Sequence, residues 1–421
     1  MGVSIWEGKK AEELNHVGHL LVEGVARQNI LLSQLVQDAS ATPHATLQEI
    51  HEIVRSGEAA NVFSIGDQIM LKWNDGTNEH VLPWDIVHFG DVELQDGEIV
   101  PGMFIQSHYA MQGVQFDASE AIYVASAALP AGTYNFTIGT SWGTHCVAGK
   151  VYQFTTTVEI PAGGQVMVSK NNDFWAWGAP DVAPSSWKVH TFASNAATTP
   201  LESNLEVTEG SGGTALGSLA SSQKYSTSGM NNLQRAAYGY NRWAQSANRK
   251  YYNSAAASGA WWSPENPFDR SPQQLSSVRG FMAGFEDAFL NIIKPVKVVT
   301  ALNTVSDTDI GTTETTYDTF FLASLEQEYI VPQLSNVEGA YWEYWKQRLG
   351  LTSPQPQGTD GTNAAHIRYA YDAKTSAQTC RLRSANRGHA YNAWSMATSG
   401  YATNTSAATT AARGCPACVI C

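Results

Sequence analysis

Charged residues are scarce in this sequence. Asp, Glu, Lys and Arg make up 15% of the 421 residues, against roughly a quarter in an average soluble domain. The formal net charge is −13, and the 25 Lys and Arg residues form no basic stripe. Because binding to nucleic acid depends on clustered Lys and Arg that neutralise phosphates, the composition argues against nucleic acid as a partner.

Long apolar runs and a disulfide framework are also missing. No stretch approaches the roughly 20 apolar residues that a membrane-spanning helix needs, so we expect no membrane insertion. Residues 1–24 contain acidic residues and glycines where a secretion signal would have an apolar segment. The five cysteines are odd in number, which fits assembly in a reducing cytosol. They are Cys146, Cys380, Cys415, Cys418 and Cys421.

The sequence divides into four segments, of which the first is predicted to be helical. Over residues 9–38 apolar residues recur at spacings of three and four. Thr46 and Glu49 have the spacing of a capping box at the start of a second helix. Residues 1–60 therefore form either an oligomerisation or docking segment or two amphipathic helices packed on the next domain.

The other three segments change from strands to a polar connection and then to a mixed fold. Residues 61–170 alternate apolar and polar side chains between Gly- and Pro-containing turns, which predicts an antiparallel β domain of the sandwich type. Residues 171–230 are rich in Ala, Ser, Thr, Gly and Pro and are predicted to connect two domains. Residues 231–421 combine helical stretches, strands and many aromatic residues, as in one α+β domain.

Several stretches of the last segment occur in an order found in a known family. They are NRWAQSANRKYYNSAAASGAWWSPENPFDR (241–270), GFMAGFEDAFLNIIKPVKVVT (280–300), DTFFLASLEQE (318–328), CRLRSANRG (380–388) and the terminal GCPACVIC. This order resembles the C-type-lectin-like domain of phage and prophage structural proteins, a fold shared with formylglycine-generating enzymes and with retroelement-diversified tropism determinants. The terminal GCPACVI resembles the strand that closes this fold.

The resemblance covers about the last 180 residues of the chain. It implies a multidomain α+β protein with N-terminal helices, an antiparallel β-sandwich-like domain and a C-terminal C-type-lectin-like domain.

The composition of residues 385–413 favours the diversified branch of this family. The stretch contains no Lys, Glu or Gln. Apart from Trp394, Met396 and Gly400, nearly every residue can be reached from an Asn codon by changes at adenines, which are the changes that diversity-generating retroelements make. The alternative is an ordinary Ala-, Ser- and Thr-rich stretch of low complexity.

Residues 386–405 mix aromatic side chains with Ser, Asn and Thr, as antibody paratopes do. By its resemblance to diversified tropism determinants, this segment is predicted to bind a host-surface protein or glycan. Trp394 fits the core of the domain equally well. The predicted ligand-binding residues are Asn386, His389, Tyr391, Asn392, Trp394, Ser399, Tyr401, Thr403, Asn404 and Thr405.

The resemblance also implies a location and an assembly. We expect a tail-fibre, spike or head-fibre protein of a virion, made in the host cytoplasm and acting outside the cell after lysis. Such proteins are usually trimers that contact other virion proteins, and several copies on one particle raise the overall affinity. The alternatives are a purely structural virion or capsid-decoration protein and a glycan depolymerase.

Two cysteine patterns bear on metal binding. Formylglycine-generating enzymes hold copper between two cysteines, but Ser384 stands where the second thiol would follow Cys380. On a terminal strand, Cys415 and Cys418 would point to opposite faces, so their spacing does not predict a metal site. We therefore expect neither a metal nor a cofactor.

Catalytic candidates are few. His108 and Asp85 could act as a pair, although a hydrogen-bonded structural histidine is the commoner case. Two pairs of carboxylates are candidates for glycan hydrolysis, and their spacing in the sequence neither supports nor excludes this activity. They are Glu265 with Asp269 and Glu326 with Glu328. The sequence therefore predicts a protein that is not an enzyme.

Overall fold

The computed structural model describes residues 46–170, 182–218, 235–410 and 412–421. The helix predicted over residues 9–38 lies outside the described residues. The described part is rich in strands, with few and short helices. The helices are α1 (Leu47–Arg55), α2 (Ala59–Val62), α3 (Ala247–Tyr252), α4 (Asp287–Leu290) and α5 (Glu343–Leu349). No helix among these residues is long and apolar enough to span a bilayer.

The strands are β1 (Gln68–Asn74), β2 (Glu79–Glu93), β3 (Ile99–Ser107), β4 (Tyr123–Val124), β5 (Gly132–Thr137), β6 (Val151–Thr156), β7 (Gln165–Lys170), β8 (Trp187–Phe192), β9 (Glu202–Glu206), β10 (Thr208–Glu209), β11 (Thr214–Ser218), β12 (Val296–Ala301), β13 (Thr313–Asp318), β14 (Phe321–Leu322), β15 (Arg368–Tyr369), β16 (Ala377–Gln378), β17 (Cys380–Ala385), β18 (Asn392–Met396), β19 (Ala402–Ser406), β20 (Arg413–Gly414) and β21 (Pro416–Ile420).

Helix α1 begins at the predicted capping box. The backbone N–H of Glu49 donates to the Thr46 hydroxyl at 3.2 Å, and the Glu49 carboxylate accepts the Thr46 N–H at 2.7 Å. Two N–H groups that a helix start leaves unpaired are thereby satisfied. Ile50 and Val54, four residues apart, are the buried side of the helix. The prediction of a short second helix is confirmed.

The first sheet joins the two ends of the described chain. Its strand order is β1-β2-β3-β21-β14. The terminal strand β21 is antiparallel to β3, with Ala417 opposite Gln106 and Ile420 opposite Met103. All five of its residues are buried. The C-terminal residues therefore form an inner strand of this sheet, between β3 and β14.

This sheet combines strands from two of the predicted segments. Strands from residues 61–170 pair with a strand from residues 231–421, and both ranges contribute to one core. Trp84, Trp243 and Trp345 are fully buried in this first core. Periodicity shows that a segment is a strand but not which strand it pairs with, because pairing is set by contacts distant in sequence.

A second core belongs to strands β4–β11, which we call the inserted unit. It has two four-stranded sheets, in the orders β4-β7-β8-β9 and β10-β6-β5-β11. Side chains of both sheets share the second core, where the rings of Tyr152 and Trp187 lie 5.0 Å apart. The inserted unit is thus β structure in two sheets that share one core, formed by described residues between 122 and 218.

The predicted connecting segment 171–230 contains strands in its described part. Residues 182–218 form β8–β11, and the glycine-rich stretch is held by side chains of the neighbouring strands. The Gln153 amide oxygen accepts the Gly212 N–H at 2.7 Å, and the Asn135 amide donates to the Gly212 carbonyl at 3.0 Å. The glycine-rich composition predicted a connecting segment, and these hydrogen bonds supply backbone partners that the composition does not reveal.

Candidate functional site

The predicted ligand-binding residues lie on and around the C-terminal sheet, whose strand order is β19-β18-β17-β20. Their exposure differs widely. The buried ones are Asn386, Asn392 and Trp394. The half-buried ones are His389, Tyr391, Tyr401, Thr403 and Thr405, and the exposed ones are Ser399 and Asn404. The ten residues therefore do not form one open face.

Strand pairing divides several of these residues between two faces of the sheet. Trp394 lies opposite Asn404, and the adjacent pair is Ser395 with Thr403. Because successive side chains on a strand point to opposite faces, Asn404 shares a face with Trp394 while Thr403 lies on the other. The even mixture of polar residues in this segment carried no alternation from which this division could be predicted.

The Thr403 face is anchored by a buried arginine. The Arg381 guanidinium donates to the carbonyl of Thr405 at 3.0 Å and to that of Ser406 at 2.6 Å. Burial lowers the pKa of Arg381 to about 9. A buried guanidinium that satisfies several carbonyls holds strand β19 and the turn after it in place, so this face serves the fold.

The Trp394 face carries a small set of hydrogen-bonded polar side chains that extends to the surface. The indole Nε1 of Trp394 donates to the side-chain oxygen of Gln333 at 3.2 Å, and the same oxygen accepts the Arg387 N–H at 2.7 Å. The Asn392 amide donates to the Asn404 side-chain oxygen at 2.9 Å. Gln333 is exposed, and sequence reasoning missed it because it lies far upstream of the predicted segment.

Four half-buried rings meet beside this sheet, and we call them the aromatic cluster: Trp142, Tyr238, His389 and Tyr391. The rings of Tyr238 and Tyr391 stack with centroids 5.0 Å apart. Trp142 meets Tyr238 edge-on at 5.5 Å and lies 5.9 Å from Tyr391, and His389 lies 5.5 Å from Tyr391. Two of the predicted residues are thus joined by two that the sequence analysis missed.

Each ring of the aromatic cluster is positioned by its backbone. Trp142 belongs to a loop of the inserted unit that is closed by its N–H donating to the Cys146 carbonyl at 2.9 Å. The carbonyls of Tyr238 and Tyr391 accept the N–H groups of Ala408 and Ala407, each at 2.8 Å. The cluster therefore joins the inserted unit to the C-terminal sheet.

The loop between β17 and β18 carries His389 and Tyr391, and one buried amide fixes its path. Nδ2 of Asn241 donates to the carbonyl of His389 at 2.6 Å and to that of Asn392 at 2.7 Å, and it also lies 3.2 Å from the Asn386 carbonyl. Asn241 is fully buried. Because one side chain holds three points of the loop, the two rings are presented in a defined geometry.

The base of the inserted unit contains a buried ion pair. Glu120, just before β4, accepts Nε of Arg235 at 2.8 Å and also contacts its terminal nitrogen. Burial raises the pKa of Glu120 to about 7, although the charge of Arg235 opposes this. The Arg235 guanidinium lies 3.9 Å from the centre of the Tyr240 ring. The ion pair therefore links the residues just before β4 to the start of the described range 235–410.

The candidate pair Asp85 and His108 is brought together in the first sheet. The Asp85 carboxylate accepts hydrogen bonds from Nδ1 of His108 at 2.9 Å, from the Tyr344 hydroxyl at 2.9 Å and from the Gln68 amide at 2.8 Å. Burial acts to raise the pKa of Asp85, but the His108 hydrogen bond and the charge of Arg368 outweigh it and lower the pKa to about 2. These bonds cross-link β1, β2 and α5, which is a structural role.

The four candidate carboxylates also serve contacts within the chain. Asp269 accepts the Glu265 N–H at 2.6 Å, and Glu265 pairs with Lys250 at 2.7 Å. Glu326 accepts three consecutive N–H groups of residues 336–338. Glu328 is buried and accepts the Gln106 amide at 2.8 Å. Within the described residues, no three His, Cys, Asp or Glu side chains are grouped as metal ligands.

A cleft with a cavity volume of about 290 Å³ lies between β2, β12 and the loop before α5. Its lining includes Phe104, Trp342 and the buried side chains of Arg383 and Glu338. None of the predicted ligand-binding residues contributes to this lining.

Comparison with known proteins finds one match. Residues 220–420 match the family model of a domain of unknown function, DUF6273. No curated protein and no solved structure matches the chain. The matched range contains β12–β21, whereas β1–β3, with which β21 shares the first sheet, lie outside it. The matched residues therefore complete their main sheet only together with the preceding part of the chain.

Proposed function

We propose that this chain is a binding protein of a phage particle and attaches to a host-surface protein or glycan through the aromatic cluster. The observation that carries the proposal is the meeting of four half-buried rings from three separate parts of the chain. Tyr and Trp supply large contact areas at a low cost in conformational entropy, and they dominate the energetics of many recognition surfaces.

The surroundings of the aromatic cluster also suit recognition of a neutral ligand. The His389–Tyr391 loop is fixed by Asn241, so little ordering remains to be done when a ligand binds. The exposed side chains of Asn404 and Gln333 lie on or near the adjacent sheet and carry amide groups that can form hydrogen bonds. A glycan presents both apolar ring faces and hydroxyls, and this combination of rings and amides is complementary to both.

The particle and the C-type-lectin-like fold enter the proposal through the sequence resemblance. The closing strand that the resemblance expected at GCPACVI corresponds to β21, which is buried between β3 and β14. This position supports a lectin-like body whose last third carries the binding surface. Copies arranged as a trimer would add their individually weak contacts.

Adsorption of particles that carry single variants tests this function. Trp142→Ala and Tyr391→Ala remove ring area from the cluster and should lower adsorption to host cells by about 10- to 100-fold. Tyr369→Ala is the matched control, because this tyrosine is 39% exposed and lies on β15, outside the cluster. Screening of the purified full-length chain on a glycan array then separates glycan from protein receptors.

The outcomes separate the proposed function from its structural alternative. If the variant proteins assemble into particles and these adsorb like the wild type, the aromatic cluster is not the binding surface. If the cluster variants fold but fail to join particles, the rings contact other virion proteins, and the chain is a structural component.

A further inference from the structure

Two thiols lie in contact at the base of the C-terminal sheet. Sγ of Cys415 lies 3.8 Å from Sγ of Cys380, and both side chains are buried. Cys380 begins β17, and Cys415 lies between β20 and β21. Strands β17 and β20 are parallel neighbours, with Cys380 opposite Arg413. Both cysteines are free thiols in the structure.

The two sulfur atoms are close enough for a bond to form with small movements. A disulfide has an S–S distance of about 2.05 Å, so the sulfurs must approach each other by less than 2 Å from the observed 3.8 Å. Rotations about the Cα–Cβ bonds, with slight adjustment of the backbone after β20, bring such neighbouring sulfurs together.

The other cysteines are placed differently. Cys418 lies at the middle of β21 opposite Ile105 and, being three residues from Cys415, points to the other face of the strand. Cys421 follows β21 on the side of helix α1, where its backbone carbonyl oxygen lies 2.8 Å from Nε2 of His51, at hydrogen-bond distance. Cys146 belongs to the second core. The geometry therefore selects one pair among the five thiols.

We propose that Cys380 and Cys415 form a disulfide when the protein meets an oxidant of the low-molecular-weight disulfide class, such as oxidised glutathione. The bond joins the start of β17 to the chain just before β21. It closes a loop from 380 to 415 that contains all ten predicted ligand-binding residues. The disulfide is thus a staple at the base of the proposed binding surface, and it does not depend on the identity of the ligand.

The reaction is an ordinary thiol–disulfide exchange. The thiolate of one cysteine attacks a sulfur of the small disulfide and expels one small thiolate, which leaves a mixed disulfide. The thiolate of the second cysteine then attacks the protein sulfur of this mixed disulfide and expels the second small thiolate. The two protons lost by the cysteines end on the two small thiols, so two cysteines are oxidised and one small disulfide is reduced.

Two features of the pair make this exchange slow and the product durable. The contact with Cys415, together with burial, raises the pKa of Cys380 well above its usual range. The thiolate fraction at neutral pH is therefore small, and the buried sulfurs become accessible only when the edge of the sheet opens. The same burial protects the finished disulfide from reductants.

Peptide mapping of the full-length chain tests the pairing directly. The protein is incubated with oxidised glutathione at pH 8, unfolded with iodoacetamide present and digested with trypsin. Cleavage after Lys374, Arg381 and Arg413 yields peptides 375–381 and 414–421. We expect these peptides to be recovered as a linked pair, with fragmentation placing the link at Cys415. The proposal is overturned if Cys380 is recovered in alkylated form after the incubation with oxidised glutathione has gone to completion. A disulfide from Cys380 to Cys418 or Cys421 also overturns it.

Thermal unfolding is the second measurement, because a staple around a long loop restricts the unfolded chain. The midpoint of the oxidised wild type should fall by about 4 °C when it is reduced, because such a loop contributes about 4 kcal/mol and the unfolding entropy of a chain of this size is about 0.9 kcal/mol/K. The matched control Cys146→Ser should keep this difference, and Cys380→Ser should lose it. An oxidised wild type that melts like the reduced protein overturns the staple, whatever the chain binds.

Discussion

Replacing Asn241 should loosen the loop that carries His389 and Tyr391. The Asn241 amide is buried and donates to the carbonyls of His389 and Asn392, and its side-chain oxygen accepts the Asn303 amide at 3.1 Å. In Asn241→Ala these bonds are lost and a small cavity remains, so both the loop and its attachment to the body lose support.

The contacts of each carbonyl set the size of this effect. Without Asn241, the Asn392 carbonyl still accepts the Asn386 N–H at 2.8 Å, and the Asn386 carbonyl still accepts the His389 N–H at 3.2 Å. The His389 carbonyl loses its closest donor, at 2.6 Å. One buried group left unpaired costs about 1–3 kcal/mol, and the lost bond to Asn303 adds about 1 kcal/mol. The expected loss is therefore about 2–4 kcal/mol.

Hydrogen exchange and denaturant unfolding measure the loss in two ways. Amide protection over residues 386–392 should fall by about 30- to 1000-fold, and the free energy of unfolding should fall by up to the same 2–4 kcal/mol, by the order-of-magnitude costs above. Asn241→Asp should be worse than Asn241→Ala, because it directs a carboxylate at carbonyl oxygens. The exposed Asn78→Ala is the control.

A loss below about 1 kcal/mol in Asn241→Ala, with unchanged exchange in the loop, would refute the reasoning. Such a result means that water or a neighbouring donor replaces the amide without cost. The loop would then be positioned by the rings themselves, and the ordering role assigned to Asn241 would have to be abandoned.

Two further predictions concern the junction of the inserted unit. Burial raises the pKa of Glu120 to about 7, above its usual value of 4.5, so its protonation stabilises the folded state below about pH 4.5, and this contribution is lost as the pH rises through 7. The free energy of unfolding of Glu120→Gln should therefore fall less between pH 5 and pH 8 than that of the wild type. Urea titrations at the two pH values measure this fall, and an equal fall in both proteins would contradict the prediction. Gly239→Ala should cost about 2–4 kcal/mol, because φ is +76° and a Cβ would lie 2.7 Å from the Asp117 carbonyl oxygen. Gly217→Ala, with φ +102° and open space around it, should cost only about 1 kcal/mol. If the two variants lower the unfolding temperature by similar amounts, the contact with Asp117 does not contribute to the cost.

Local structure was largely predictable from the sequence. The capping box at Thr46 marks the start of α1, and the alternating stretches near 133, 151 and 165 form β5, β6 and β7. These features depend on residues a few positions apart, so their signal is contained in a short window of sequence. The glycine-rich part of β10–β11 was not predictable, because its hydrogen-bond partners come from β5 and β6.

The candidate site was predictable only in part. The sequence marked His389 and Tyr391 by their mixture with small polar residues, and the structure joins both to Trp142 and Tyr238. Nothing near Trp142 distinguishes it from the other tryptophans of the chain. Conversely, Trp394 looked like a binding residue as much as a core residue, and only its 6% exposure and its bond to Gln333 decide its place.

By itself, the sequence determined the properties that depend on composition and on neighbouring residues: a surface with few charges, strands bounded by turns, and five cysteines without an obvious framework. Only the tertiary structure decided which distant segments meet. It paired β21 with β3, placed Cys380 against Cys415 and gathered the aromatic cluster from three parts of the chain. These contacts result from burying apolar surface in shared cores, and that driving force is non-directional, so no local pattern encodes its partners.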